Sequence, residues 1–373
     1  MREAVFGSPP ADGAPPADAA PPVSALLLTD LVSLGYLTGF TGSAGKLLVD
    51  AGRALFLTDG RYRIQLADEL AAAGLADVVS AHVDGPDGQH RALLAWVAEA
   101  GSAAVLGVEA DTMAWADALS LSEQLGAATP PVRVEPTRAV VAGLRSVKDS
   151  GEVERIAAAA TIADNALADV VDRLTRRPTE REFARELDNR MLAGGAEALS
   201  FETICASGPN SALPHARPSE RVVGRGDLVV VDFGAVVDGY HSDMTRTFCV
   251  GEPDAEQSAM LETVARAQDA GVAAVRAGVP ASAVDRACRE VVEAAGMADE
   301  FVHGTGHGVG LVIHEEPWVG AHSTTTLVPG HVVTVEPGVY RHGVGGVRVE
   351  DTVVVTDGEP RRLTNAPKDP VLG

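Results

Sequence analysis

Cysteine and long apolar runs are both scarce in this sequence. The three cysteines, Cys205, Cys249 and Cys288, are odd in number and widely spaced. This spacing fits neither a disulfide framework nor a structural thiolate zinc site, and it favours a reducing compartment. No run of 18 apolar residues occurs, which argues against a membrane-spanning helix. We therefore expect a cytoplasmic protein.

Positive charge is also in short supply. The sequence has 30 lysines and arginines and 52 aspartates and glutamates, which gives a net charge of −22. Such a chain repels phosphate-rich partners, so the composition argues against binding to nucleic acid or to an anionic membrane. The 46% of hydrophobic residues is enough for a globular core.

The length of 373 residues predicts two domains, because one core rarely grows beyond about 300 residues. Residues 1–23 contain six prolines and no signal-peptide core, so we expect a disordered Pro/Ala-rich tail there. From 24 to 141, strand-like runs such as ALFLTDG alternate with helical stretches such as IQLADELAAAG, which indicates an α/β domain. A helix capped by Asp149 or Ser150 belongs to a second domain, residues 142–373.

The second domain repeats one plan. VVDRLTRRPTEREFARELDNRMLAGGA and, later in the chain, AVRAGVPASAVDRACREVVEAAGM both indicate two helices around a turn with proline. Strand-like sequence follows each helix pair. The repetition predicts a pseudo-symmetric α+β domain whose site lies near the axis between the two halves.

Two aspartates are predicted to share one face of a β-hairpin. DLVVVDFGAVVDGYHSDMTRTF has a two-residue DG turn, and the resulting register places Gly234 opposite Asp243. Asp232 is on the face of Gly234, so it lies diagonal to Asp243, ~7–8 Å away at the backbone. Two ionised carboxylates on a buried face repel each other unless a cation compensates them. A cation site is favoured over the alternative, an aspartate solvated at a sheet edge.

Two glutamates interrupt valine-rich strands in VVTVEPGVY and GVRVEDTVVV. A lone glutamate in a strand usually faces solvent, but the branched residues around Glu336 and Glu350 predict that both are buried. Arg348 lies two residues before Glu350 and so on the same face, where a structural ion pair would also explain it. The sequence thus offers four acids for one site.

The stretch HGTGHGVGLVIHEEP places His303 and His307 four residues apart, the spacing of two metal ligands on one helix. Its four glycines would cost a helix ~4 kcal/mol at ~1 kcal/mol each, which excludes that helix. The order G-x-G-x-G-x-G is also not that of a phosphate loop. Glycines at alternate positions instead predict an extended segment whose backbone approaches something closely.

Four carboxylates with at least one imidazole suit Mn²⁺, Co²⁺ or Zn²⁺ better than a thiolate site would. The negative charge is too large for one ion. The set therefore predicts two divalent ions, ~3.5 Å apart, that share bridging carboxylates.

The motifs VDFGAVVDGYHSDMTRTF, HGTGHGVGLVIHEEP, TVEPGVY and GVRVEDT, in this order, resemble the metal-binding motifs of the dinuclear M24 metallopeptidases. YLTGFTGSAGKLLV, LTDGRY and LRSVKDSGEVERI are similar to the branch that holds Xaa-Pro aminopeptidases and Xaa-Pro dipeptidases (prolidases). The resemblance covers roughly residues 24–365. It implies an α+β "pita-bread" catalytic domain with two related halves, preceded by a smaller α/β creatinase-like domain.

The resemblance also implies a role for each acid. Asp232 would chelate one metal ion, and His307 and Glu336 would bind the other. Asp243 and Glu350 would bridge the pair. A water or hydroxide between the ions would be the nucleophile, with Glu336 as the acceptor of its proton.

The other matched residues would lie on the substrate side. His215 in SALPHARP and His314 in LVIHEEP match histidines that polarise the scissile carbonyl or stabilise its oxyanion. His303 would line the same pocket. Arg348 matches an arginine that supports the site and, in dipeptidases, can meet the substrate carboxylate through a bidentate contact.

The implied activity is hydrolysis of the Xaa-Pro bond in dipeptides or at the N-terminus of short peptides. The implied enzyme is a cytoplasmic homodimer with two divalent ions, of which Mn²⁺ is the first choice and Co²⁺ or Zn²⁺ the alternatives. Two other interpretations use the same scaffold: a metal-independent creatinase-type amidinohydrolase and a non-catalytic binding module. The retention of all five predicted ligands argues against both.

Overall fold

The computed structural model describes residues 23–99 and 104–373. The chain forms two compact units, the first ending at Arg145 and the second starting at Ser146. The tail predicted over 1–23 lies outside the described residues except for Val23. Val141, where we expected the first domain to end, lies inside a helix that continues to Ser146, so the division comes slightly later.

The first unit is built on a six-stranded mixed sheet with the order β4-β3-β2-β1-β5-β6. Its strands are β1 (Ala25–Leu28), β2 (Lys46–Asp50), β3 (Ala54–Thr58), β4 (Ser80–Val83), β5 (Val105–Glu109) and β6 (Arg133–Thr137). The β1–β2 and β2–β3 pairs are antiparallel and the others are parallel. Central strands such as ALLL of β1 are buried throughout, which explains their continuous apolar runs.

The helices of the first unit alternate with these strands as the sequence predicts. They are α1 (Leu31–Thr38), α2 (Arg63–Ala72), α3 (Pro86–Ala98), α4 (Trp115–Gly126) and α5 (Val140–Ser146). Two apolar clusters within this unit form its core. The predicted α/β class of the first unit is confirmed.

The second unit contains two helix pairs. They are α6 (Ser150–Val170) with α7 (Glu180–Ala193), and α8 (Ala255–Ala274) with α9 (Ala281–Ala294). Asp149 caps α6 as predicted, since its side chain accepts from the amide of Glu152 while the Glu152 side chain accepts from the amide of Asp149. Among the described helices of the chain, none is both long and apolar enough to span a bilayer.

Strands follow each helix pair in the second unit. The first group is β7 (Ala198–Leu199), β8 (Ile204–Ser207), β9 (Leu228–Phe233), β10 (Ala235–Val237), β11 (Tyr240–His241) and β12 (Met244–Val250). The second group is β13 (Gly306–Gly308), β14 (Glu315–Val319), β15 (Val332–Val335), β16 (Gly338–Arg341), β17 (Gly345–Arg348), β18 (Asp351–Val354), β19 (Arg361–Arg362) and β20 (Val371–Leu372).

These strands form two main sheets, ordered β20-β12-β9-β8 and β14-β13-β15-β18-β19. One core cluster joins α6 and α7 to the first sheet, and another joins α8 and α9 to the second. The repeated plan of helix pair followed by sheet agrees with the predicted α+β domain of two similar halves.

Candidate metal centre

The two aspartates come from one β-hairpin. Asp232, near the end of β9, lies opposite Thr245 of β12. Beyond them, β10 and β11 place Val237 opposite Tyr240 in the same register. The predicted register is confirmed, and Asp243, just before β12, lines the same cavity as Asp232.

Close backbone packing holds His307 in a strand. A Cβ on Gly306 would lie 2.1 Å from the carbonyl oxygen of Thr334, and one on Gly308 would lie 2.2 Å from that of Glu316. Only glycine fits at these two positions, so the alternate glycines have the close-contact role that the sequence predicts. Residues 306–308 form strand β13, which confirms that the two histidines do not share a helix face.

His307 directs one ring nitrogen towards two carboxylates. Its Nδ1 lies 3.0 Å from the carbonyl oxygen of Gly308, to which an Nδ1–H donates. The neutral ring then has an acceptor at Nε2, yet Nε2 lies 3.3 Å from Glu336 Oε1 and 3.5 Å from Asp243 Oδ2. Acceptors at these distances need a proton or a metal ion among them.

The donor set fits divalent metal ions. Donor atoms of Asp243, His307 and Glu350 all lie within 4.8 Å of one another, and the three residues are buried. Within the described part of the chain, Glu350 Oε1 and Asp232 Oδ1 are buried without a hydrogen-bond partner. A buried, unpaired carboxylate oxygen is costly, and a cation removes that cost.

The pKa values of the acids indicate the same shortage of positive charge. Burial, together with the charge of Glu350, raises the pKa of Asp243 well above its ordinary value. Burial and the charge of Glu336 raise the pKa of Glu350 in the same way, and burial also raises the pKa of Asp232. At Glu336, burial is outweighed by the hydrogen bond and charge of His307, and the pKa is lowered to about 2.

A buried arginine supports two of the acids. Arg348 Nη2 donates to Asp232 Oδ2 at 2.6 Å, and its Nε donates to Thr245 Oγ1 at 3.1 Å. Thr245 Oγ1 in turn donates to Glu350 Oε2 at 2.7 Å. Arg348 Nη1 donates to Tyr340 OH at 2.7 Å. The structural ion pair considered from the sequence is therefore present, although its partner is Asp232.

Two residues of this network, Thr245 and Tyr340, are not among the predicted site residues. Thr245 lies two positions after Asp243, so an argument from strand faces could have selected it. Nothing in the sequence distinguishes Tyr340 from an ordinary core tyrosine.

The predicted substrate-side histidines surround the acids. His303 Nε2 lies 3.0 Å from Tyr340 OH, and burial lowers the pKa of His303. The ring of His314 meets that of His307 edge-on, with centroids 4.4 Å apart. His215 is exposed in the segment between β8 and β9.

A single cavity of about 570 Å³ is lined by all of the predicted site residues. They are His215, Asp232, Asp243, His303, His307, His314, Glu336, Arg348 and Glu350. Apolar side chains of Phe201, Ile313 and Trp318 line the same cavity. The site therefore combines an acidic part whose donor atoms fit metal ions with an apolar wall that suits a side chain of a small substrate.

The fold and the donor set define a metal-dependent enzyme of two units. Comparison with known families agrees, since residues 154–357 match metallopeptidase family M24 and residues 19–147 match the creatinase/prolidase N-terminal domain. The chain belongs to metallopeptidase family M24 and carries a creatinase/prolidase-type N-terminal domain.

Similar proteins cover nearly the whole chain. A solved Xaa-Pro dipeptidase from Bacillus anthracis is 37% identical with a TM-score of 0.86, and the match covers 94% of this chain and 95% of that one. A solved X-Pro aminopeptidase from Thermotoga maritima is 32% identical with a TM-score of 0.83, covering 94% and 97%. An uncharacterized peptidase of Bacillus subtilis is 35% identical over 347 residues, which are 93% of this chain and 95% of the relative. The predicted family, fold class and enzymatic nature are confirmed.

Proposed function

We propose that this metallopeptidase hydrolyses the Xaa-Pro bond of dipeptides or of the N-terminus of short peptides. Of the two solved structures compared above, one is named an Xaa-Pro dipeptidase and the other an X-Pro aminopeptidase. The observation that carries the proposal is the buried cluster of Asp243, His307 and Glu350 in the cavity that the other predicted residues line.

Two divalent ions are part of the proposal, with Mn²⁺ as the first choice and Co²⁺ or Zn²⁺ as alternatives. The residues that would hold them are Asp232, Asp243, His307, Glu336 and Glu350. Carboxylate oxygens and an imidazole suit these ions, and the unpartnered Glu350 Oε1 and Asp232 Oδ1 are the atoms that most need a cation. When bound, such ions supply Lewis acidity, which polarises the scissile carbonyl and lowers the pKa of water.

Glu336 is the proposed proton acceptor. In the metal-free protein the hydrogen bond and charge of His307 lower the pKa of Glu336 to about 2 against the effect of burial, and a bound cation would likewise favour the ionised carboxylate. Thr334 Oγ1 donates to Glu336 Oε1 at 3.1 Å and helps to fix the side chain. A fixed, ionised carboxylate can take a proton from the attacking water and pass it to the leaving prolyl nitrogen.

The proposed substrate contacts come from three histidines and one arginine. His215 and His314 would donate hydrogen bonds to the carbonyl oxygen as negative charge develops on it, and His303 would line the pocket. Arg348 already uses its Nε, its Nη1 and one Nη2 hydrogen within the protein. One of its five N–H donors is left for a dipeptide carboxylate, so a bidentate contact requires one of these hydrogen bonds to break.

A paired peptide assay tests the proposal. Protein stripped of metal by a chelator is reloaded separately with Mn²⁺, Co²⁺ or Zn²⁺ and given Ala-Pro or Ala-Pro-Ala. We expect cleavage only after reloading, and a loss of roughly 10²-fold or more in Glu336→Gln, which keeps the shape of the side chain but cannot accept the proton. Faster cleavage of Ala-Pro would identify a dipeptidase, and faster cleavage of Ala-Pro-Ala an aminopeptidase. The proposal fails if the fully loaded protein cleaves neither peptide.

The same preparation separates the alternative functions. Hydrolysis of creatine by the metal-free protein would support a creatinase-type amidinohydrolase. Binding of Ala-Pro without turnover at full metal loading, unchanged by Asp243→Ala, would support a non-catalytic binding module.

A cytoplasmic homodimer completes the proposal. The three cysteines are free and buried, as suits a reducing compartment. The dimer is what the family resemblance implies, and sedimentation velocity tests it. A species of twice the 38.4 kDa chain mass is expected.

A further inference from the structure

Glu180 is a carboxylate with no exposed surface that receives hydrogen bonds from three residues. Its Oε1 accepts from the amide and the hydroxyl of Ser207, at 2.7 and 2.8 Å. Its Oε2 accepts from the amide and the hydroxyl of Ser219, at 3.0 and 2.5 Å. Asn210 Nδ2 donates to both oxygens, at 3.0 and 3.2 Å.

The position of Glu180 explains how the charge is tolerated in the interior. It is the first residue of α7, where the positive end of the helix dipole stabilises an anion. The amide of Glu180 donates to the carbonyl of Arg221, and the amide of Arg181 donates to that of Ser219, so the helix start is also joined to the chain by its backbone. The carboxylate is therefore fixed in place and hydrogen-bonded on both sides.

Two of the three donor residues, Ser207 and Ser219, flank one segment of the cavity wall, and Asn210 lies within it. The chain leaves the sheet at Ser207, the last residue of β8, and returns to Glu180 at Ser219. Between these two points, residues 215–218 line the cavity in an unbroken run. The buried carboxylate of Glu180 thus connects the two ends of the segment 208–219, which contains His215.

His215 depends on this segment for its position. In the described part of the chain its ring makes no hydrogen bond, ion pair or ring contact, and the residue is exposed. The neighbouring carbonyl of Pro214 accepts from Arg348 Nη1 at 3.2 Å, which ties the segment to the site at one further point. The backbone of the segment therefore sets the region of the cavity that the imidazole can reach.

We propose that Glu180 is a positioning residue for the reaction: it holds the segment 208–219 so that His215 faces the substrate carbonyl. This inference rests on the proposed function for its kinetic part. Its structural part, the ordering of the segment by Glu180, is independent of the activity.

The substitution Glu180→Gln tests the proposal. The carboxamide keeps the size of the side chain, but its NH₂ group must face either the amide of Ser207 or that of Ser219. A side-chain N–H donor then faces a backbone N–H donor, and the hydrogen bond at that position is lost. Hydrogen–deuterium exchange of the peptide 208–219 should become faster, while Mn²⁺ binding stoichiometry stays at the wild-type value. For Ala-Pro or Ala-Pro-Ala cleavage, kcat should fall roughly 10- to 100-fold, because a displacement of about 1 Å can cost 10²-fold.

Glu186→Gln is the matched control. Glu186 lies on the same helix and pairs with Arg173 at 2.8 Å near the surface. The control should leave both the exchange of 208–219 and kcat unchanged. The proposal is overturned if Glu180→Gln leaves the hydrogen–deuterium exchange of 208–219 unchanged. This measurement does not need activity, so it also applies to a protein that cleaves neither peptide, for which the proposed function has failed on its own test.

A double-mutant cycle with His215→Ala separates positioning from general destabilisation. If Glu180 acts through His215, then Glu180→Gln should have little further effect on kcat once the imidazole is removed. Additive losses would instead assign Glu180 a purely structural role and overturn the proposal. If Glu180→Gln does not fold, Ser219→Ala replaces it, because this variant removes one donor and keeps the carboxylate. The same double-mutant cycle with His215→Ala is measured, and the same outcomes support or overturn the proposal.

Discussion

At the scale of single residues, the buried acids set the stability of the metal-free protein. Burial and the charge of Glu350 raise the pKa of Asp243 above its ordinary value of 3.8. A carboxyl whose pKa is raised on folding lowers the stability of the fold as the pH rises from that ordinary value towards the folded one. Without metal, Asp243 therefore costs the fold stability at neutral pH, which lies above that ordinary value.

Asp243→Asn removes this cost and also removes a proposed metal ligand. In excess chelator at pH 8, we expect the variant to melt roughly 2–4 °C above the wild type, the shift that about 1 kcal/mol gives in a domain of this size. Excess Mn²⁺ should then raise the Tm of the wild type and leave that of the variant nearly unchanged, because only the wild type binds the ion tightly. Differential scanning calorimetry at both conditions measures the effect.

The control for this prediction is Asp238→Asn, the same exchange at the exposed turn of the same hairpin. It should keep the wild-type response to Mn²⁺. A metal-free Asp243→Asn protein that melts below the wild type would show that the acids are compensated without a cation.

Which residues could be predicted from the sequence depends on the range of the interactions that define them. Asp232 and Asp243 could be paired because a two-residue turn fixes hairpin register over a short distance, and Asp238 and Gly239 both have the positive φ that this turn requires. Glu180 could not be predicted as a support for His215. Its donors lie 27 to 39 residues away, and an acid in the first turn of a helix already has a local explanation in the helix dipole.

At the scale of elements, the strand β13 shows how backbone contact shapes the site. The cost of glycine in a helix was sufficient to exclude a helix at His307, and the observed strand agrees. The identity of the close neighbours, the carbonyls of Thr334 and Glu316, follows from sheet pairing between distant segments and is not contained in the local sequence.

Gly308→Ala should therefore damage both the fold and the proposed metal site. The new Cβ would lie 2.2 Å from the carbonyl oxygen of Glu316 and 2.5 Å from its carbon, and both atoms are backbone. The backbone must shift, at a cost of about 1–3 kcal/mol, and His307 moves with it. We expect a lower Tm together with weaker Mn²⁺ binding by isothermal titration calorimetry.

Gly320→Ala is the companion variant, because Gly320 follows β14 and has no atom within 4 Å of an added Cβ. It should bind Mn²⁺ like the wild type. If Gly308→Ala and Gly320→Ala have equal Tm and equal Mn²⁺ affinity, then β13 has room for a side chain and the spacing of its glycines has another cause.

At the scale of the whole molecule, each unit has its own apolar cores, formed by residues on one side of the division at Arg145 and Ser146. The first residues of the second unit are bound to the segment just before β15. Val147 forms a bridge with His331, and the amide of Lys148 donates to the carbonyl of Gly330 at 2.8 Å. The stability of the second unit therefore depends partly on this contact.

His331 makes the contact sensitive to pH. Its Nδ1 accepts from the amide of Val328 at 3.3 Å, a bond that only the neutral ring can form, and the side chain is buried. Burial, aided by the charge of Lys148, lowers its pKa to about 4 from the 6.5 of an ordinary histidine. The unfolded chain then binds a proton more readily than the folded one between these two values, so stability is lost as the pH falls from about 6.5 towards 4.

His331→Asn keeps an acceptor near the position of Nδ1 and cannot be protonated. Urea unfolding at pH 7 and pH 5 should show that the wild type loses on the order of 2 kcal/mol more than this variant over that interval. The exposed His342, changed to Asn in the same way, should leave the pH dependence of the wild type unaltered. If His331→Asn and the wild type lose equal stability between the two pH values, then His331 is not the group that limits stability in acid, and protonation of carboxylates must account for the loss.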